Sequence, residues 1–494
     1  MENEFKDLLD TIKEYNNEAK FTEIKKAWEF AKLAHDGQKR LSGEAFVLHP
    51  LRVSRILASW KMDSTTIIAG LLHDSVEDGG ATEKDIVKEF GSDVWELVNG
   101  VTKVTGLRLE GSVKEQFVEN LRKMLLVMAR DLRVVFIKLA DRLHNMKTLD
   151  SLPKDRQIKN ATETLEIYAP LAERLGIGKV KGELEDLSFP YVHPTDYKRV
   201  LDLMNGYFKK SNTETHIESM KKTILSRLLK EKIKAEVHGR KKHLYSLWRK
   251  LLRPENDWDI TKVNDLIALR ILVPRISDCY VALGIVHSAY KPVPSIGVSD
   301  FIAQPKPNGY RSIHTKVFGI EGKIVEIQIR TFQMHAEAEF GLAAHWSYAE
   351  TKESGVSGEE LEKGTFVGQK LSWVKQLVAW QGQIADSEEF LRAVKFDGLG
   401  NRNFVFSPKG DVFDLPTNAT PIDFAYTVHT KLGNYIQGAK VNGKVVSLNY
   451  RLKSGEIVEI LTSKNARIPN RDWLSFVVTN TARREINKRL RAGA

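Results

Sequence analysis

Apolar positions recur at three- and four-residue spacing through FTEIKKAWEFAKLAH, HPLRVSRILASW, STTIIAGLLHDSVED and LRVVFIKLADRLHNM, the period at which one stripe of a helix faces a core. Residues 1–195 are therefore expected to form an all-α domain. From about residue 255 the pattern changes: VNDLIALRILV and GKIVEIQIR read as strands, interleaved with helical SDCYVALGIVHSAY and FQMHAEAEFGLAAHW, which predicts an α/β domain over 196–346. The polar stretch AETKESGVSGEELEKGTFVGQK, rich in Gly and Ser, precedes an amphipathic LSWVKQLVAWQGQI, so 347–400 is expected to hold a linker and a connecting helix. Short strands with turn signals at SPKGD, NAT, VNGK and KSGE predict a small β-rich module over 401–464. Residues 465–494 open a basic helical region, and no internal repeat is visible.

At 494 residues the chain has room for about three domains, which agrees with those boundaries. Hydrophobic residues at 42% and charged residues at 28% are ordinary for a folded protein and exclude wholesale disorder. No run approaches the roughly 18 apolar residues of a membrane span, and MENEFKDLLD lacks the basic and apolar regions of a leader; a soluble, cytoplasmic protein is expected. The single cysteine, Cys279, excludes an internal disulfide and a Cys-rich zinc module, so a metal would be held by His and carboxylate. Net charge is +11, but it is concentrated: residues 221–253 carry 12 Lys and Arg against 2 acids, and residues 464–494 carry 8 against 2. The remainder is slightly acidic. Two basic blocks on an acidic body point to local anion binding rather than a uniform nucleic-acid coat.

Two clusters carry chemistry. In HDSVED, read as helical, His73 and Glu77 stand one turn apart, as do Asp74 and Asp78; Asp141 and Asn145 repeat that spacing, and His49 opens another helix in VLHPLRV. Two His and two Asp from three helices form an N/O donor set for a divalent cation, with the carboxylates tilting the choice towards Mn²⁺. Such a cation lowers the pKa of bound water. The plainer reading makes HDSVED a capped, solvated helix end. The second cluster begins in HGRKKHLYSLWRK: if the chain turns helical after Gly239, Lys242, Ser246 and Lys250 share a face suited to polyphosphate, with Arg240 at its entry. The plainer reading is a solvated basic face. In KIVEIQIR the polar Glu326, Gln328 and Arg330 alternate with Val325, Ile327 and Ile329, Asp265 precedes a strongly apolar strand, and PKPNGYRSIHT supplies Lys306, Asn308, Tyr310 and His314. Two carboxylates on adjacent strands suit Mg²⁺ and activation of a hydroxyl, as in nucleotidyltransferase-like folds.

The His/Asp set resembles that of HD-type metal phosphohydrolases. The strings RLSGEAFVLHP, GLLHDSVED, KLADRLHNMKTL and HGRKKHLYSLWRK, in this order, resemble more closely the RelA/SpoT (Rel) family of guanosine tetra- and pentaphosphate enzymes. The resemblance implies an HD-type hydrolase domain at 1–195, a nucleotidyltransferase-like synthetase domain at 196–346 and a ubiquitin-like TGS module at 401–464. In the first, His49, His73, Asp74 and Asp141 would bind Mn²⁺, Glu77 and Asp78 would handle the attacking water, and Arg40 and Asn145 would hold the nucleotide, releasing pyrophosphate from ppGpp or pppGpp. In the second, Arg240, Lys242, Ser246 and Lys250 would bind ATP, and Asp265 and Glu326 would hold Mg²⁺. Glu326 would also act as general base, and Lys306, Asn308, Tyr310, His314 and Gln328 would receive GDP or GTP. The TGS resemblance implies contact with uncharged tRNA on the ribosome, to which the basic C-terminal block is suited.

The sequence departs from the family at four places. Leu41 stands where a Lys often follows the Arg. Gly297-Val298-Ser299-Asp300 replaces either charged form of the family's acceptor-side motif, Phe301 replaces a usual Tyr, and Asn434-Tyr435-Ile436 replaces a His-bearing stretch in the TGS module. Each missing charge-assisted contact to a phosphate is worth about 1.5–3 kcal/mol. Two alternatives therefore stand beside a bifunctional enzyme: a hydrolase with a weak or regulatory synthetase domain, and a ribosome- or tRNA-binding stress factor.

Overall fold

The computed structural model describes residues 1–105, 122–123, 126–128, 130–210, 213–263, 266–294, 297–306, 309–341, 402–463 and 468–492. Asp265, Asn308 and the expected linker and helix of 347–400 lie outside the described residues. The chain forms two compact units, Met1–Lys375 and Gln376–Ala494.

The first unit opens with six helices: α1 (Glu2–Tyr15), α2 (Phe21–Ala34), α3 (Leu48–Ser59), α4 (Ser64–Leu72), α5 (Glu83–Phe90) and α6 (Ser92–Thr105). Local chemistry sets their starts: Asp63 accepts from the Thr66 amide to cap α4, and Thr82 with Asp85 forms a capping box on α5. Helix α7 (Arg133–Lys147) packs on α3, α4 and α6 and buries polar Lys138 and His144 together with its apolar residues. Leu8, Trp28, Leu51, Leu57, Ile67 and Phe136 fill this core. Beyond it come α8 (Lys154–Glu163), one widened turn at Thr164–Tyr168, α9 (Ala169–Arg174) and α10 (Gly178–Val192). Helix α10 touches α7 on one side and the next domain on the other.

After α11 (Pro194–Lys210) and α12 (Thr213–Lys230) comes a five-stranded sheet of order β1-β2-β5-β4-β3, formed by Glu236–Lys241, Ile267–Val273, Ser299–Asp300, Ile313–Phe318 and Ile324–Thr331. Strands β2 and β5 are parallel, with Ala268 opposite Glu326; the other pairings are antiparallel. Val325, Ile327 and Ile329 enter a core with Met220, Ile224 and Leu228 of α12 and Cys279, Ala282 and Val286 of α14 (Ile276–Ala289). The period of two then turns Glu326, Gln328 and Arg330 to the other face. Helices α13 (Leu244–Leu251) and α15 (Phe332–Phe340) pack against α10. Gly341, which ends α15, has φ +58°, and a Cβ there would lie 2.2 Å from the Leu175 carbonyl. This joint admits only glycine.

In the second unit β6 (Arg402–Phe406) and β7 (Val412–Pro416) pair, as do β10 (Val458–Thr462), β8 (Ile436–Val441) and β9 (Lys444–Val446). The expected β-rich module also contains α16 (Pro421–Val428) and α17 (Thr430–Asn434). Buried Asp423 closes a capping box with Thr420 and accepts from the Val478 and Thr479 amides, tying the module to α18 (Asn480–Ala492).

Two sequence expectations about local structure need correction. His73–Asp78 is not the end of a helix: α4 stops at Leu72 and the six residues form a turn. The Asp78 amide still donates to the Asp74 carbonyl, so those two remain one turn apart, but Ala81 bonds back to Ser75 and ends the helical path. Likewise, the chain does not become helical after Gly239. Gly239 and Arg240 lie in β1, paired to β2, and α13 begins only at Leu244, so Arg240 and Lys242 precede the helix that carries Ser246 and Lys250.

Candidate functional site

The first centre is built where α3, α7 and the turn after α4 meet. His49 is in the first turn of α3, and its Nε2 lies 3.2 Å from Asp141 Oδ1 and 3.4 Å from Asp74 Oδ2. His73 Nδ1 meets the Gly70 carbonyl at 2.8 Å. That leaves Nε2 3.1 Å from Asp74 Oδ1 yet outside hydrogen-bonding geometry, a buried nitrogen without a partner. Donor atoms of His49, His73 and Asp141 lie within 4.8 Å of one another. One helical turn along α7, Asn145 donates to Asp141 Oδ1 at 2.6 Å and accepts from Arg40. Glu77 and Asp78 lie on the exposed side of the turn.

Electrostatics suit a cation here. Burial works against ionisation of Asp141, but Lys138 at 3.2 Å and His49 hold its carboxyl well below the usual range. Burial likewise opposes, and His73 and His49 outweigh it for, Asp74, which falls to about 2. Burial pushes His49 down, keeping it neutral with a lone pair to give. His73, despite its burial, is pushed up by Asp74. Partial burial raises both Glu77 and Asp78, and carboxylates nearby add to it. An orphaned imidazole nitrogen, a second neutral imidazole and two ionised carboxylates fit a divalent metal.

A second site is a cavity of 720 Å³ between the sheet and α10. Arg240, Lys242, Ser246, Lys306, Tyr310, His314 and Gln328 line it; Lys250 does not. Tyr310 Oη lies 2.8 Å from His314 Nε2, and His314 Nδ1 lies 3.1 Å from Glu326 Oε1, which strings three expected residues into one relay. Lys306 sits over the rings of Phe301 and Tyr310, and burial lowers its pKa. Asp300, the one acid of Gly297–Asp300, accepts from the Ile302 and Ala303 amides and from Tyr280.

Several further residues line this cavity. Arg270 and Arg330 share Glu339; burial, reinforced by Arg270, brings Arg330 down to about 10. From the helical side, Glu173, Lys181 and Glu185 enter the same cavity. In the first centre Lys138 and His144 were missed, although each lies three residues from Asp141, the spacing that puts side chains on one helix face. Burial, then His49 and Arg40, hold His144 at about 3.

The chain thus runs from a helical domain with a buried His/Asp centre to a mixed sheet with a basic cavity and then to a small β-rich module. Family models match in that order: "HD domain" over residues 27–178, "Region found in RelA / SpoT proteins" over 239–353 and "TGS domain" over 403–462. The chain belongs to the RelA/SpoT family. It is 46% identical over 478 residues to the GTP pyrophosphokinase of Myxococcus xanthus, covering 96% of this chain and 61% of that protein. It is 45% identical over 482 residues to the bifunctional (p)ppGpp synthase/hydrolase RelA of Mycobacterium tuberculosis, covering 97% and 64%. With the guanosine-3′,5′-bis(diphosphate) 3′-pyrophosphohydrolase of Aquifex aeolicus identity is 42% over 489 residues, covering 98% and 66%. The chain thus spans less than two thirds of the length of these relatives. Among the described residues no helix is long and apolar enough to cross a membrane.

Proposed function

We propose that this chain is an enzyme of alarmone metabolism with two centres: a 3′-pyrophosphohydrolase for ppGpp and pppGpp, and a synthetase that transfers pyrophosphate from ATP to the 3′-hydroxyl of GDP or GTP. The observation that carries the reading is the convergence of His49, His73 and Asp141 on one buried point, with Asp74 against both imidazoles. These four would hold Mn²⁺, which when bound supplies an activated water at neutral pH. Glu77 and Asp78, whose carboxyls partial burial raises above their ordinary range, would take the water's proton. Arg40 and Asn145, already joined to each other, would orient the nucleotide.

In the second centre the lining of basic Arg240, Lys242 and Lys306 with the Ser246 hydroxyl supports ATP and acceptor phosphates, with Lys250 assigned to ATP by its four-residue spacing from Ser246 on α13 and by resemblance. Glu326 would hold Mg²⁺ with Asp265 and accept the hydroxyl proton, its His314 neighbour fixing the carboxylate. Tyr310 would stack on guanine, and Asn308, His314 and Gln328 would complete the pocket. One observation favours a hydrolase-dominant balance: Asp300 is occupied in holding its own turn, and Gly297 and Ser299 bring no cation to the acceptor phosphates. For the TGS module we propose an RNA-facing role, on the ribosome or with uncharged tRNA, in which half-buried Tyr435 stacks on a base and α18 meets phosphate.

Mass analysis of products tests the core reading. The intact chain with Mn²⁺ and ppGpp should give GDP and pyrophosphate, and with Mg²⁺, ATP and GDP it should give AMP and ppGpp at a lower rate. Asp141→Ala should lose both Mn²⁺ binding and pyrophosphate release; continued hydrolysis by that variant would overturn the metal assignment.

A further inference from the structure

His144 touches none of the groups assigned to substrate except Arg40, yet it is buried at 5% exposure directly behind a proposed metal ligand. Its Nδ1 lies 2.7 Å from Nδ1 of His49, and the same atom lies 3.4 Å from Nη1 of Arg40. Two facing imidazole nitrogens bond only if one donates and the other accepts. Arg40 decides which. A guanidinium has donors and no acceptor, so the atom it faces, His144 Nδ1, is favoured as acceptor, its one lone pair shared between the near His49 Nδ1 and the more distant Arg40 Nη1. The His144 proton is then on Nε2, and the partner atom, His49 Nδ1, must carry a hydrogen. That in turn strips His49 Nε2 of its proton and aims a lone pair at Asp74 and Asp141.

We propose that His144 is a positioning residue for metal binding: it holds His49 as the Nδ1–H tautomer, with Nε2 free to ligate, and is itself fixed as an acceptor by Arg40. The other imidazole reaches the same state by a simpler route, because His73 Nδ1 bonds the Gly70 carbonyl, which can only accept. The backbone performs for one histidine what His144 performs for the other. Ligating histidines generally need such a partner on their second nitrogen, and removing it costs about 10–100-fold in metal affinity. Thr148, 3.5 Å from the same Arg40 nitrogen, helps hold the guanidinium in place.

This inference rests on the reading of the centre as a divalent-metal site, and the experiment separates the two. Mn²⁺ alone is titrated calorimetrically into the wild-type chain, His144→Leu and His144→Gln, each checked for an intact thermal transition. His144→Leu fills the space without accepting and should bind Mn²⁺ about 10–100-fold more weakly. His144→Gln, whose amide oxygen accepts from His49, should stay near wild type. Equal binding by His144→Leu, or equal loss in both variants, would overturn the proposal; failure of the wild-type chain to bind Mn²⁺ would instead remove the metal reading. Should His144→Leu not fold, nitrogen-15 chemical shifts of histidine-labelled, metal-free wild type decide, with His49 assigned by the signals missing in His49→Asn. A protonated Nδ1 and bare Nε2 on His49 support the proposal, and the reverse tautomer refutes it.

Discussion

In the first centre, Asp141 ties three side chains together. It accepts from Asn145, faces His49, and balances Lys138, which is itself buried. Asp74 plays the parallel part for His73. Both carboxyls are depressed in the folded chain, so each contributes stability that is complete above the ordinary aspartate value near 3.9 and is lost as pH falls through the folded value. For Asp74 the window runs from about 4 down to about 2. The urea midpoint of the metal-free protein is accordingly expected to fall between pH 5 and pH 3, and to fall less in Asp74→Asn; identical slopes would refute the contribution. What the sequence showed at this scale was donor type. The strings HDSVED and KLADRLHNM contain the acids and imidazoles, but nothing in their spacing says which ring nitrogen is turned inward.

At the scale of elements, α10 and α13 show how one domain completes another's helix. Helix α13 has no side-chain cap of its own at His243. Instead Asp186 of α10 accepts from the Tyr245 amide at 3.0 Å and meets His243 Nδ1 at 2.7 Å. Gly182 makes the approach possible, since a Cβ there would lie 2.4 Å from the His243 ring. Loss of a capping carboxylate costs about 0.5–2 kcal/mol, so Asp186→Ala should lower stability by that order in chemical denaturation. It should also weaken ATP binding in equilibrium dialysis, because α13 carries Ser246; wild-type behaviour in both assays would show the cap to be idle. Helical periodicity located α13 correctly only from Leu244 onward. The preceding Gly239–Lys241 were drawn into β1 by pairing with β2, a contact made with residues about 30 positions away that no local pattern reports.

Across the first unit, α10 lies between the two centres. It packs on α7, which carries Asp141 and Asn145, and Lys147 of α7 meets Glu183 of α10 at 3.5 Å; two residues earlier, Lys181 lines the second cavity. An enzyme that made and destroyed the same product at once would only consume ATP. The two activities are therefore expected to oppose each other through the helical connector of residues 150–235, with α10 as the shared element. Titrating a non-hydrolysable ATP analogue while following ppGpp hydrolysis should change its rate, and Glu183→Ala should diminish that response; independent rates would sink the coupling, which linkage requires to be reciprocal in binding.

The order of an α domain, an α/β domain and a small β-rich module was determined by the sequence alone, because helix and strand periods are set within a few residues and survive any tertiary context that buries one face. The sequence also supplied the residue types of each centre, His and Asp in the first and Lys and Arg in the second. Tertiary structure decided the rest. It made HDSVED a turn, moved Arg240 onto a strand, and brought Glu173 and Lys181 to a cavity whose other wall begins some 60 residues later. It also set His144 against His49 across a separation of 95 residues. Hydrogen-bond direction depends on which atoms meet, and for residues so far apart only packing brings them together.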